Sequence, residues 1–226
     1  MMIEFEDVSM VYPNGTVALN GVNLKIDDGE FVFIVGRSGA GKTTLTKLLM
    51  REEKVTSGTI RVNEFRLDKM PKRKVPYLRR SMGVVFQDFR LFPKKTVAEN
   101  VAFAMRVAGE KQSEIDKRVP HFLNLVELSD KANCFPNELS GGERQRVAFA
   151  RAIANNPKIV IADEPTGNVD PEMSKDLFKL LISINNLGKT VIVITHDMNL
   201  VEQYQKRTIK IEDGMVASDK IGGVVV

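Results

Sequence analysis

The sequence predicts an α/β protein: a mostly parallel sheet with antiparallel strands at its margins and a helical subdomain inserted between two core strands. Three observations carry this reading. The runs Phe31 to Val35, Met82 to Phe86, Ile159 to Asp163 and Val191 to Thr195 are almost continuously apolar. A sheet covered on both faces requires such strands. Helix-length stretches follow several of them, beginning near Lys42, Glu143, Pro171 and Asp197, and this repeated strand–loop–helix order is the parallel α/β pattern. Between about 88 and 156 the strand signal gives way to helical spacing, through Val97, Val101, Ala104 and Met105, then Val119, Phe122, Leu123 and Val126.

The expected organisation is one domain over 1–226, with an α/β core over about 1–87 and 157–226 and a helical subdomain over about 88–156. The margins differ from the core. Val22, Leu24 and Ile26 alternate with Asn23 and Lys25, which predicts an antiparallel strand. Thr208 to Ile211 and Met215 to Ser218 flank Asp213-Gly214, a strong hairpin signal.

Composition narrows the class. The chain is 43% hydrophobic and 27% charged, ordinary for a folded domain. No apolar run reaches the ~18 residues of a membrane-spanning helix. The acidic start, Met1 to Asp7, lacks the basic-then-apolar layout of a signal peptide. Cys134 is the single cysteine, so no intramolecular disulfide is possible and a reducing cytoplasm is expected. A net charge of +4, from 33 basic and 29 acidic residues, is too small an excess to indicate a nucleic-acid binder.

Gly36-Arg37-Ser38-Gly39-Ala40-Gly41-Lys42-Thr43 matches the phosphate-loop pattern in full, between a buried strand and a helix. Its glycines let backbone N–H groups converge on phosphate oxygens, and the helix start adds unpaired donors. Lys42 would neutralise the β- and γ-phosphates of a nucleotide, and the Thr43 hydroxyl would ligate Mg²⁺. Asp163, at the end of its strand, is the expected metal-side carboxylate. Glu164 follows at once and is placed to orient and deprotonate an attacking water.

Ser140-Gly141-Gly142-Glu143 opens another helix. Ser140 with Glu143 is a capping box, but a cap does not explain two consecutive glycines, which weaken a helix. The combination reads as a second anion seat. Two such seats in one chain predict that two copies share each nucleotide.

Leu139-Ser140-Gly141-Gly142-Glu143-Arg144-Gln145 resembles the signature sequence of the ATP-binding-cassette (ABC) ATPases, and the resemblance spans essentially the whole chain with its motifs in order. It implies ATP and Mg²⁺ as ligands, hydrolysis of ATP, a homodimer closed by ATP, and an integral membrane partner at the cytoplasmic face of a bacterial membrane. It implies that Tyr12 stacks on adenine and that Thr44 joins the phosphate loop. By the same resemblance Gln87 links metal and water to the partner and His196 contacts the γ-phosphate. Ser140, Gly141, Gly142 and Asp170 would reach the nucleotide from the second subunit. Phe89, Leu91 and Phe92 are expected to help form the groove that receives a short helix of the membrane protein.

Two departures from the family pattern stand out: Lys42-Thr43-Thr44 where Lys-Ser-Thr is common, and Gly167-Asn168-Val169-Asp170 in the dimer-contact loop. The second resembles the branch that holds lipoprotein-release and cell-division cassettes. The short tail, expected to add no regulatory domain, and the segment from Val85 to Ala104 also resemble the cell-division members. A conventional transporter subunit would carry the same motifs. A soluble non-transport cassette would usually have two cassettes or a long coiled-coil insertion, and a module that binds without turnover could dispense with Glu164 and His196. The run Lys69, Lys72, Arg73, Lys74, Arg79 and Arg80 is read as a solvated helix face, with a membrane-surface or nucleic-acid role as the alternatives.

Overall fold

The computed structural model describes residues 3–167, 169 and 171–222. Its strands in chain order are β1 (Ile3–Val11), β2 (Val17–Ile26), β3 (Phe31–Val35), β4 (Ser57–Val62), β5 (Phe65–Arg66), β6 (Met82–Val85), β7 (Ile159–Asp163), β8 (Thr190–Thr195), β9 (Arg207–Glu212) and β10 (Met215–Lys220). The helices are α1 (Lys42–Leu49), α2 (Val75–Arg80), α3 (Val97–Ala108), α4 (Gln112–Leu125), α5 (Gly141–Ile153), α6 (Pro171–Asn186) and α7 (Met198–Tyr204). The chain forms two compact units, Met1–Arg79 with Asn185–Val226, and Arg80–Ile184.

In the first unit, β8 and β9 flank β3, both parallel to it, with Phe31 opposite Val191 and Val32 opposite Arg207. Every residue of β3 and β8 is buried, as their unbroken apolar runs predict. β10 joins β9 as the expected antiparallel hairpin, Val216 opposite Ile211. A second, antiparallel sheet runs β2-β1-β4-β5. The alternation at Val22, Leu24 and Ile26 lies in β2, whose buried side faces in with Ile3, Phe5 and Val8 of β1. Alternation at one strand did not disclose β4 and β5. β4 carries Gly58 near its start, and β5 is two residues long, so neither has a legible period.

In the second unit, β6 and β7 pair in parallel, Met82 opposite Ile159. Gly83 is needed there, because a Cβ would sit 2.3 Å from the Ala152 carbonyl oxygen. The helices close around a core of Val97, Val101, Met105, Val119, Leu123, Val126 and Val147, which includes most of the apolar positions the helical spacing marked. α3 starts at a capping box in which Thr96 Oγ1 accepts from the Glu99 N–H and Glu99 Oε2 accepts from the Thr96 N–H.

The basic run from Lys69 to Arg80 forms a short 3-10 turn and α2. Lys72, Arg73, Lys74, Arg79 and Arg80 are exposed, while Leu78 turns inward. Among the described residues no helix is long and apolar enough to cross a membrane.

Candidate functional site

The phosphate loop occupies the turn from β3 into α1. Gly41, the residue before α1, has φ 108°, and a Cβ there would lie 2.4 Å from the Ala18 carbonyl oxygen. A Cβ on Gly36 would meet the Ile211 carbonyl oxygen at 2.3 Å. The loop is therefore pressed against neighbouring backbone and admits no side chain at either place. No side chain caps α1, and its first turn holds no acidic residue. Its leading N–H groups and its partial positive charge are thus left for an anion.

Lys42 is buried, and its ammonium donates to the carbonyls of Gly36 (2.6 Å) and Arg37 (3.0 Å). These bonds hold the charge over the loop. Thr43 is exposed, whereas Thr44 is buried. The Thr44 hydroxyl lies 3.2 Å from the Tyr12 hydroxyl, and the Lys47 ammonium stands 5.8 Å from the Tyr12 ring centroid. Tyr12 is half-buried in the turn between β1 and β2, where its N–H donates to the Thr16 carbonyl.

One support escaped the sequence reading. The turn after β9, at Gly214, donates its N–H to the Ala40 carbonyl at 3.2 Å. The hairpin read as marginal therefore buttresses the phosphate loop. A cavity of about 410 Å³ lies between them, lined by Arg37 to Ala40 and Ile211 to Asp213. His196 follows β8 in the same unit and is exposed. Asp197, next to it, caps α7 by accepting from the Asn199 N–H.

The second unit carries two consecutive carboxylates at the end of a strand. Asp163 ends β7 and is 7% exposed. Glu164 has φ 48°, an uncommon left-handed conformation for a residue with a side chain, and its carbonyl accepts from the Gly167 N–H at 3.2 Å. Strain of this kind gathers at working positions. The β-strand thus ends abruptly, and the turn sets consecutive carboxylates in different surroundings, Asp163 buried and Glu164 half-buried.

Ser140 caps α5: its Oγ accepts from the Glu143 N–H at 3.2 Å, and Glu143 Oε2 accepts from the Ser140 N–H at 2.8 Å. Glu143 is also ion-paired with Lys131. That pairing, with the Ser140 bond, holds the Glu143 carboxyl down at about 2. Nothing in the local sequence marked Lys131. The glycine pair has a packing reason beside the electrostatic one, since a Cβ on Gly142 would collide with the Met173 sulfur at 2.1 Å. Asn168 and Asp170 of the expected dimer-contact loop lie outside the described residues.

Gln87, exposed after β6, opens a cavity of about 550 Å³ together with Asp88, Phe89, Leu91, Pro136, Gly141 and Arg144. Two of the three expected groove residues line it. Phe92 instead packs on Phe103, with ring centroids 4.5 Å apart. The cavity brings the Gln87 segment and the glycine tip of α5 to one place, a proximity that sequence separation conceals.

A phosphate loop on a parallel sheet, with a serine–glycine helix tip in a helical subdomain, defines a nucleotide-binding cassette. The chain belongs to the ABC transporter family, whose model matches residues 19–167. It is 53% identical to the cell division ATP-binding protein FtsE of Bacillus subtilis, over 98% of this chain and 97% of that one. It is 48% identical to FtsE of Mycobacterium tuberculosis, over 99% and 98%. Among solved structures it resembles the dimeric post-hydrolysis state of the ATP-binding cassette MJ0796 bound to ADP and Pi, with a TM-score of 0.91, 36% identity and coverage of 99% and 100%.

Proposed function

We propose that this chain is the ATP-hydrolysing subunit of a cell-division ABC complex, working as a homodimer with an integral membrane partner of the FtsX kind at the cytoplasmic face of the division site. In that complex ATP-driven motion would pass through the membrane protein to control peptidoglycan hydrolases. The observation that carries the reading is the presence in one chain of two glycine-bearing helix starts, the uncapped α1 with Lys42 and the Ser140-capped α5 with Gly141 and Gly142. The near full-length likeness to FtsE supports the branch.

In this reading the phosphate loop of one copy holds the β- and γ-phosphates through its N–H groups and Lys42. Ser140, Gly141, Gly142 and Asp170 of the other copy close on the same nucleotide. Tyr12 would stack on adenine once its bond to Thr44 yields. Glu164 takes a proton from water as the water oxygen bonds to the γ-phosphorus. The bond from that phosphorus to the bridging oxygen breaks, and ADP leaves with that electron pair. His196 contacts the γ-phosphate. ATP thus favours the closed dimer, and its hydrolysis removes that preference.

Mg²⁺ fits the donors available. The Thr43 hydroxyl, the Gln87 amide oxygen and the Asp163 carboxylate are all hard oxygen ligands. Among the described residues no cluster of three or more His, Cys, Asp or Glu could hold an ion. A cation held by the Thr43, Gln87 and Asp163 oxygens would take its remaining ligands from phosphate and water. When bound, it would neutralise charge on the phosphates. The units of work are the α/β core over about 1–87 and 157–226 and the helical subdomain over about 88–156, with Phe89, Leu91 and Phe92 facing the membrane partner.

Glu164→Gln tests the chemistry. Turnover should fall by about 10²–10⁴-fold while ATP binding and ATP-dependent dimerisation persist. Wild-type turnover in that variant would remove Glu164 from its role.

A further inference from the structure

The segment after Gln87 is held in a shape it would not choose by itself. Phe89 (φ 60°) and Arg90 (φ 46°) are consecutive non-glycine residues in the left-handed region. One guanidinium takes both of their carbonyls. Arg151 donates through Nη1 to the Arg90 carbonyl at 2.6 Å and through Nη2 to the Phe89 carbonyl at 2.7 Å. The two acceptors lie 61 and 62 residues away in sequence. Burial lowers the Arg151 pKa to about 10, with Asp88 acting in the opposite direction.

A second clamp grips the far end of the segment. Asn100 is fully buried in the first turn of α3. Its Oδ1 accepts from the Phe92 N–H at 2.8 Å, and its Nδ2 donates to the carbonyls of Phe92, Lys95 and Thr96 at 3.2, 3.0 and 3.0 Å. The two clamps differ in what they fasten the loop to. Asn100 ties it to the helix that follows it in the chain. Arg151 ties it to α5, the helix whose N-terminal tip is Ser140.

We propose that Arg151 is a positioning residue that fastens the Gln87 loop to the Ser140-tipped helix, so that a displacement at that tip is delivered to the loop without slack. Arg151 lies eleven residue steps along the helix from Ser140, about 16 Å of stiff rod. An arginine suits the task because its planar fork presents two donors at a spacing that adjacent carbonyls can share. A lysine offers a point charge and cannot fix both carbonyls in one plane. The guanidinium also stands 6.0 Å from the Phe92 ring centroid, so the contact extends along the groove-facing segment. The inference rests on the reading of Gln87 and Ser140 as nucleotide contacts, but the fastening itself can be measured without nucleotide.

The experiment is amide hydrogen exchange on the full chain, comparing wild type with Arg151→Met and Arg151→Lys, followed by steady-state ATP turnover. The amides of Phe89, Arg90 and Phe92 are hydrogen-bonded, to the Phe86 carbonyl, the Asp88 carbonyl and Asn100 respectively, so their exchange reports the loop. Peptides covering 86–92 should exchange about 10-fold faster in Arg151→Met, while those covering 141–150 stay within about 2-fold, with Arg151→Lys between. The kcat should fall by about 10-fold with KM for ATP within about 2-fold. Unchanged exchange over 86–92, or equal acceleration in both peptides, overturns the proposal, the latter by reducing Arg151 to a packing residue. Where Arg151→Met does not fold, Arg151→Lys decides by the same comparison. Absence of turnover in the wild type would instead sink the ATPase reading, and the exchange result would still stand.

Discussion

The phosphate loop and the loop after Gln87 are built on opposite plans. The first is shaped by what is missing: glycines at positions 36 and 41 admit backbone where a Cβ would collide, and the helix start behind them is left uncapped. The second keeps its side chains at Phe89 and Arg90 in spite of their positive φ and is held by side chains of two helices, Asn100 of α3, which follows it, and Arg151 of α5, distant in sequence. A loop made by glycines carries its instructions in its own residues. A loop made by clamps depends on what the rest of the unit brings to it. The first suits a rigid cradle, and the second suits a part that must move with another element.

The largest effect should come from adding a methyl where the cradle has no room. Gly41→Ala places a Cβ 2.4 Å from the Ala18 carbonyl and 2.9 Å from Leu19 at φ 108°, and ATP turnover should fall by more than about 100-fold. Gly39→Ala sharpens the point. It shares a positive φ of 82° but meets nothing within 4 Å, so it should cost only about 1–2 kcal/mol in denaturant unfolding. Equal losses in the two variants would show that backbone conformation, not contact, rules this loop.

The clamped loop should respond differently. Asn100→Leu takes away the fully buried amide that bonds the Phe92 N–H and three carbonyls, and stability should drop by about 2–3 kcal/mol, measured by denaturant titration. A loss below about 0.5 kcal/mol would mean the segment holds its own shape.

The helix tip offers a smaller, pH-dependent test. The Glu143 carboxyl is lowered from 4.5 to about 2, first by its hydrogen bond with Lys131. A carboxyl depressed on folding contributes stability above its unfolded pKa, and that contribution disappears as pH falls through the folded value. Lys131→Met should raise the carboxyl's NMR titration midpoint toward 4.5. The stability gap between the two proteins, present at neutral pH, should close between about pH 4.5 and 2. A midpoint that stays near 2 would assign the shift to the Ser140 cap alone. The smallest effect is expected at the exposed run Lys72, Arg73 and Lys74, where neutral replacements should change stability by less than about 0.5 kcal/mol.

Legibility follows the same division. The strands β3, β7 and β8 were readable because burial on both faces forces continuous apolar runs, and the β9–β10 hairpin because Asp213-Gly214 fixes its turn. Lys42, Asp163, Glu164 and the Ser140 cap were readable because each sits at a fixed offset from a strand or helix end. The clamps were not. Arg151 looks like any basic residue near a helix C-terminus, and Asn100 like any polar residue in a first turn. Lys131 lies twelve residues before the carboxylate it pairs with. Each gains its role from a partner that only packing supplies.

The sequence by itself determined most of the layout of the cassette: its fully buried strands, the glycine loop between β3 and α1, and the serine-capped start of α5. Those features rest on interactions within a few residues, which local pattern encodes directly. Tertiary structure alone decided that Gly214 supports the phosphate loop, that Met173 crowds Gly142, and that one arginine joins two loop carbonyls to the far end of α5. Such contacts are set by how whole elements pack, and a directional bond between distant residues leaves no period, cap or turn for a reader of the chain to find.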